Sequence, residues 1–160
     1  LFSASHNLAG GGTYSNILAT ASDLTQTALE QAMIDIGGYT DDVGIRMNLK
    51  LDGAKLLVPT ALQFQAAKIM QSLNEPFNAD NTKNVIAGKF EVVVAPYLTD
   101  TDQWQIVLPA VRDGLKHYWR ERPRMMRDNE FSTLNLQMLS YMRFASGWTD
   151  AHSVYGSPGA

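Results

Sequence analysis

Three histidines, His6, His117 and His152, are the side chains best suited to hold a metal or relay a proton, yet they lie far apart and share no ligand spacing. Metal sites usually take at least one close pair of ligands from a turn or a helix. Asp100 with Asp102, and Asp41 with Asp42, are carboxylate pairs of the kind used in general acid–base chemistry. Each pair sits in a turn pattern, with no sign of the enclosed pocket that perturbs an acid. Gly10-Gly11-Gly12 follows no strand and lacks the Gly-Lys-Ser/Thr ending of a phosphate loop, and no Gly-x-Ser-x-Gly elbow is present. The absence of cysteine removes disulfides, thiolate metal sites and a cysteine nucleophile. The expectation is a protein without catalytic residues, metal or cofactor, whose work is done by surfaces.

One stretch has the makings of such a surface. Arg112, Lys116, Arg120, Arg122, Arg124 and Arg127 are opposed locally only by Asp113 and Glu121, with Tyr118 and Trp119 between them. Interleaved cations and aromatics are a pattern of nucleic-acid binding. The chain as a whole carries a formal charge of -3, which disfavours a free-standing DNA reader. Contact with an acidic neighbour, weak phosphate contact and a plain solvated edge all remain open readings of this stretch.

The elements that must position these residues can be read from periodicity. The chain has 160 residues, 45% hydrophobic and 18% charged, enough for one domain or a domain with an appendage. Residues 1–22, rich in Gly, Ser, Thr and Asn, read as an irregular arm or loop. A helix is predicted over 23–36, with Leu24, Ala28, Leu29, Ala32, Met33 and Ile36 on one face, Ser22 or Asp23 as cap and Gly37-Gly38 as stop. A short strand is expected near 45–49. A buried strand follows at 54–58, then Pro59 and a second helix opened by a Thr60/Gln63 capping box, its inner side lined by Leu62, Ala66, Ile69, Met70 and Leu73.

Residues 74–87 read as a long exposed loop. Residues 90–95 read as a second buried strand in which Val93 faces the core, so that an aspartate there would bury an unpaired charge. Further strands are expected at 105–108 and 115–119. Leu134, Leu136, Met138, Met142 and Phe144 then fall on even positions, with Asn135, Gln137 and Arg143 opposite, which is the period of a half-buried antiparallel strand. The order of helices and strands argues for an α+β domain, with helices against a mixed, largely antiparallel sheet. No apolar run approaches the ~20 residues that span a bilayer, and no signal peptide is visible, so no membrane partner is expected.

Four stretches together resemble the C-terminal half of a tailed-bacteriophage major capsid protein of the Mu-like prophage head-subunit kind. They are Leu1-Phe2 with His6-Asn7-Leu8-Ala9, then Leu56-Leu57-Val58-Pro59 with its trailing helix, then the valine cluster before Pro96, then 104–108. The resemblance implies the Hong Kong 97-type fold, with an axial domain over 23–119 and a return to the peripheral domain, plus tail, over 120–160. It implies a structural subunit of an icosahedral head, resident in the virion capsid and made in the bacterial host cytoplasm. Its partner would be other copies of itself, in pentamers and hexamers, with at most weak non-specific contact to packaged DNA. The arm, extended loop and spine helix that precede this region in the family are absent from the sequence. Candidate subunit contacts are Arg120, Arg122, Arg124 and Arg127, with Asn78, Asp80 and Asn81 from the 74–87 loop. The competing readings are a small α+β hydrolase or transferase and a cellular compartment shell protein of the same fold.

Overall fold

Hydrophobic runs broken by prolines and turns give short strands here, and the longest strands come where alternation is sustained. The computed structural model describes residues 1–75, 82–109, 111 and 114–160. The chain divides into two compact units: Leu1–Gly114 with Asp150–Ala160, and Leu115–Thr149.

The first unit is α+β. Its central element is a four-stranded mixed sheet in the order β4 (Glu91–Val94), β3 (Lys55–Val58), β5 (Trp104–Val107), β8 (Val154–Ser157). β3 pairs parallel with β4 and antiparallel with β5, which pairs antiparallel with β8. A parallel pair needs a crossover, and helix α2 (Gln63–Gln71) provides it between β3 and β4. Helix α1 (Gln26–Gly37) and a small ribbon, β1 (His6–Asn7) with β2 (Thr13–Tyr14), complete the unit. Leu24, Leu29, Ile36, Leu56, Val58, Ile69, Trp104, Ile106 and Tyr155 form its buried core. Among the described residues, no helix is long and apolar enough to cross a membrane.

Several local expectations are corrected. The cap of α1 is Thr25, whose hydroxyl accepts from the Ala28 amide at 3.1 Å, so the helix starts later than Ser22 or Asp23. Gly38 ends it in the right-handed region, its amide bonding back to Ile34 and Asp35, so left-handed tolerance is not what it supplies. The Thr60/Gln63 box does not form: a short 3-10 turn, Thr60–Leu62, leads into α2 without a side-chain cap. Buried Asn84 instead secures the far end of α2, donating to the Ile69 and Ser72 carbonyls at 2.6 and 3.1 Å. Leu73 lies outside the helix and is exposed. Residues 45–49 form no strand, only a bridge between Thr40 and Arg46. Strand β4 is an edge strand, so Val93 is half-buried. At Gly53 (φ 75°) the turn leading into β3 uses the left-handed region that glycine favours.

Sequence reading missed β8, and also the ribbon of β1 and β2 inside the segment read as an irregular arm or loop. Gly156 sits so close to β5 that a Cβ there would lie 2.9 Å from the Trp104 carbonyl oxygen. Trp104 donates its indole N–H to the Ser22 carbonyl at 3.0 Å.

Residues 1–22 are fastened to this closing strand through Asn16, which is fully buried. Its Oδ1 accepts from the Ser3 amide (2.8 Å) and pairs with His6 Nε2 (3.0 Å), while its Nδ2 donates to the carbonyls of Leu1 (2.9 Å) and Ala151 (3.2 Å). All four hydrogen-bonding positions of the amide are thus used. The main chain adds bonds from Asn16 N to Ser3 O and from Gly156 N to Asn16 O.

Beside it, Tyr14 stacks on His152 with centroids 3.9 Å apart, and Tyr39 meets the same ring edge-on at 5.1 Å. Asp150 accepts from the His152 amide and pairs with its Nδ1 at 2.6 Å. Tyr155 donates its hydroxyl to Asp35. Burial, helped by Asp150 and Asp42, pushes the Tyr14 hydroxyl up from 10.0 to about 12. Burial likewise raises Tyr39, and burial with the bond to Asp35 raises Tyr155.

Three outcomes follow from this arrangement. Ile106→Ala, at the sheet centre, lowers unfolding free energy by about 2–5 kcal/mol, whereas edge-strand Val93→Ala costs about 1 kcal/mol; equal losses in denaturant melts would put both at the same depth. Asn16→Leu keeps the size but strands Ser3 N–H and the Leu1 and Ala151 carbonyls, costing about 2–4 kcal/mol, with hydrogen-exchange protection lost first over residues 1–18. The raised tyrosines stay protonated in the folded state, so their contribution is complete below pH 10 and disappears as pH climbs toward 12. The phenolate forms of Tyr14, Tyr39 and Tyr155, followed residue by residue by NMR, should therefore appear together with unfolding, not before it.

Candidate assembly surface

The second unit is a hairpin of two long strands, β6 (Leu115–Glu130) and β7 (Asn135–Trp148). Predicted strands at 115–119 and 134–144 are parts of this longer pair. Alternation of side chains then sorts the two faces. With Leu115 opposite Trp148, Trp119 opposite Phe144, Met125 opposite Ser140 and Asn129 opposite Leu136, one face carries Leu115, Trp119, Met125, Leu136, Met138, Met142, Phe144 and Trp148. The other carries Lys116, Glu121, Arg124, Asp128, Glu130 and Arg143, mixed with Tyr118, Met126, Leu139 and Tyr141.

All eight large apolar side chains of the first face are exposed. The expected half-buried strand is therefore right in period and pairing but not in burial, because its apolar side meets nothing within its own unit. A face about 14 residues long extends roughly 45 Å, well beyond the scattered apolar residues that ordinary surfaces show.

Of the arginines singled out in sequence, Arg120, Arg122, Arg124 and Arg127 lie on β6 and are exposed. Arg124 pairs with Glu121 at 2.7 Å and lies over the Tyr141 ring at 6.0 Å. Arg120 and Arg122 fall within the two register shifts of the strand, between Trp119 and Glu121 and between Glu121 and Arg124. Pro123, with no amide to donate, lies in the second of these shifts, as prolines in strands tend to. Arg127 stands opposite Met138 and puts a formal charge on the apolar face. Asn78, Asp80, Asn81, Arg112 and Asp113 lie outside the described residues.

At the hairpin tip, the Glu130 carboxylate accepts from Ser132 (3.2 Å), Thr133 (2.8 Å) and Gln137 (3.4 Å). Leu134 closes the turn at φ 56°, a left-handed conformation unusual for a bulky residue. Phe131 and Leu134 are 96% and 88% exposed.

His6 and His152 both stack on Tyr14, with centroids 4.9 and 3.9 Å from it, and His117 lies in the other unit. His6 bonds Asn16, His152 belongs to the Tyr14 stack, and His117 pairs with Ser146 at 2.8 Å beside Trp119 and Phe144. Among the described residues, no group of three or more His, Cys, Asp or Glu is placed to hold a metal. The Asp102 amide donates to Asp100 in an exposed turn, and Asp41 and Asp42 accept from the amides of Val43, Ile45 and Ala9. These carboxylates order loops. A groove of about 250 Å³ in the first unit is lined by Phe2, Ile17, Gln103, Gln105, Gly156, Ser157 and Pro158 and is largely apolar. Sequence reading missed this groove and the apolar face of β6, since Leu115, Trp119 and Met125 share their odd positions with Glu121, Pro123, Arg127 and Asn129.

The chain belongs to the phage capsid protein family, whose pattern it matches over residues 2–156. Among solved structures it is similar to a virus-like particle from Pyrococcus furiosus, with 10% sequence identity and a TM-score of 0.49. That likeness covers 89% of this chain and 55% of the other, so the chain spans about half the length of that relative. No curated protein matches it.

Proposed function

We infer that the chain is a structural subunit of a bacteriophage or prophage head, assembling with copies of itself into the shell that encloses the genome. Family membership over nearly the whole chain supports this reading, and it favours the coat role over the hydrolase or transferase alternative. The single structural observation that carries it is the hairpin. A two-stranded ribbon is marginal alone in water, and this one leaves eight large apolar side chains on one face uncovered. Such a surface suits a protein whose final state is an assembly.

The finer reading is the Hong Kong 97-type fold, with the axial domain in the unit holding the four-stranded sheet and the peripheral domain in the hairpin unit. Pentamers and hexamers in a virion capsid, formed in the host cytoplasm, belong to the same reading. Contact with packaged DNA through Arg120, Arg122 and Arg127 would be weak and sequence-independent.

Electron microscopy of the complete gene product expressed alone tests this. Closed particles or five- and sixfold rings are expected. A monodisperse monomer at the highest soluble concentration, confirmed by sedimentation, would remove the coat role.

A further inference from the structure

We propose that the apolar face of the hairpin packs against the same face of a second copy turned end for end, with Met142 on the twofold axis between them. This rests on the coat-subunit reading for its occupant, another copy of the chain, and names one contact of that reading.

The spacing of large and small side chains points to this arrangement. Along β7 the face takes every second residue from Leu136 to Trp148, and each of them is exposed. Turned about Met142, Leu136 meets Trp148, Met138 meets Ser146 and Ser140 meets Phe144, while Met142 meets its own copy. Each short serine then receives a long side chain, as facing layers ~10 Å apart require. Two hairpins stacked in the same direction would set large on large and leave the serines facing a gap.

Charge along the hairpin agrees, residue by residue. The tip carries Asp128 and Glu130 beside Arg127, whereas the other half carries Lys116, Arg120, Arg122, Arg124 and Arg143 against Glu121. The end-for-end turn brings each acidic tip toward the basic half of the other copy. Arg127 falls over the aromatic end of that copy, where the rings of Trp119 and Phe144 lie 5.6 Å apart and can take a guanidinium on a face. Arg120 and Arg122 of the two copies stay near the axis, a repulsion that salt screens. The contact is isologous, so it closes as a pair. Two faces of roughly 450 Å² bury about 900 Å² together, which places the pair among weak, transient interfaces.

Two matched substitutions test it. Met142 and Leu139 are 54% and 55% exposed and lie on opposite faces of the hairpin. In sedimentation of the full chain, Met142→Glu should raise the dimer dissociation constant by about tenfold or more, and Leu139→Glu by less than about twofold. Neither should move the melting temperature. The pair should tighten as salt rises from about 0.05 to about 0.5 M. Because the sequence has no cysteine, a short bismaleimide should join Met142→Cys chains to one another and leave Leu139→Cys chains single. Equal effects of the two glutamates, or equal crosslinking on both faces, would overturn the contact. So would a chain that stays single at its highest soluble concentration, or a pair that loosens in salt and dissolves on adding a non-specific DNA duplex. A Met142→Cys thiol that resists maleimide in single copies of the complete gene product would mean that the face is covered from within one copy, and would overturn it too. Particles that form normally from complete gene product carrying Met142→Glu remove this contact and leave the coat role standing. Unaltered product that forms none removes the coat role, while the crosslink still decides the contact.

Discussion

Everything in the first unit depends on how the sheet is closed. Strand β8 comes from the C-terminal end of the chain and takes the free edge of β5. Its own outer edge is then met by residues from the other end: Ile17 bridges to Gly156, and Asn16 ties Leu1, Ser3, His6 and Ala151 to one amide. An open edge would invite pairing with another chain. Here it is covered from within, at the entropic cost of ordering a glycine-rich segment. The side-chain amide of Asn16 offsets that cost only because each of its polar atoms has a partner; half-satisfied, the same buried group would work against the fold. The stack of Tyr14 on His152 adds aromatic contact to the same junction.

The closure explains which parts of the fold could be read from residues alone. α1, β3, α2 and β5 carry their own signal, because each buries one face at a regular period, and α1, β3 and β5 stop at or just before glycine or proline. β8 carries none: Val154-Tyr155-Gly156-Ser157 is four residues long and half of them small, and it is a strand only because β5 has a free edge to give it. Val93 looked central for the opposite reason. A run of valines reads the same at the edge of a sheet as in its middle, and the difference lies in topology, which local pattern does not encode. The candidate surface was legible in part. The alternation of β7 was visible because it is unbroken, while on β6 the odd positions mix apolar with polar residues, and two bulges, at Arg120 and around Pro123, turn Glu121 to the opposite face before the phase is restored.

The two units therefore solve opposite problems. The first buries a core and covers the β8 edge of its sheet with its own chain. The hairpin does neither. An apolar face about 45 Å long and two strands wide offers roughly 450 Å², or about 11 kcal/mol at full burial as an upper bound. Association of two molecules costs on the order of 4–15 kcal/mol before any gain. A partner bound through this face alone would hold weakly. The balance changes when each copy makes several contacts at once, since the later ones are closed within an assembly already formed. A chain built this way has its own sheet to fold by and leaves the hairpin face to contacts that gain strength through repetition.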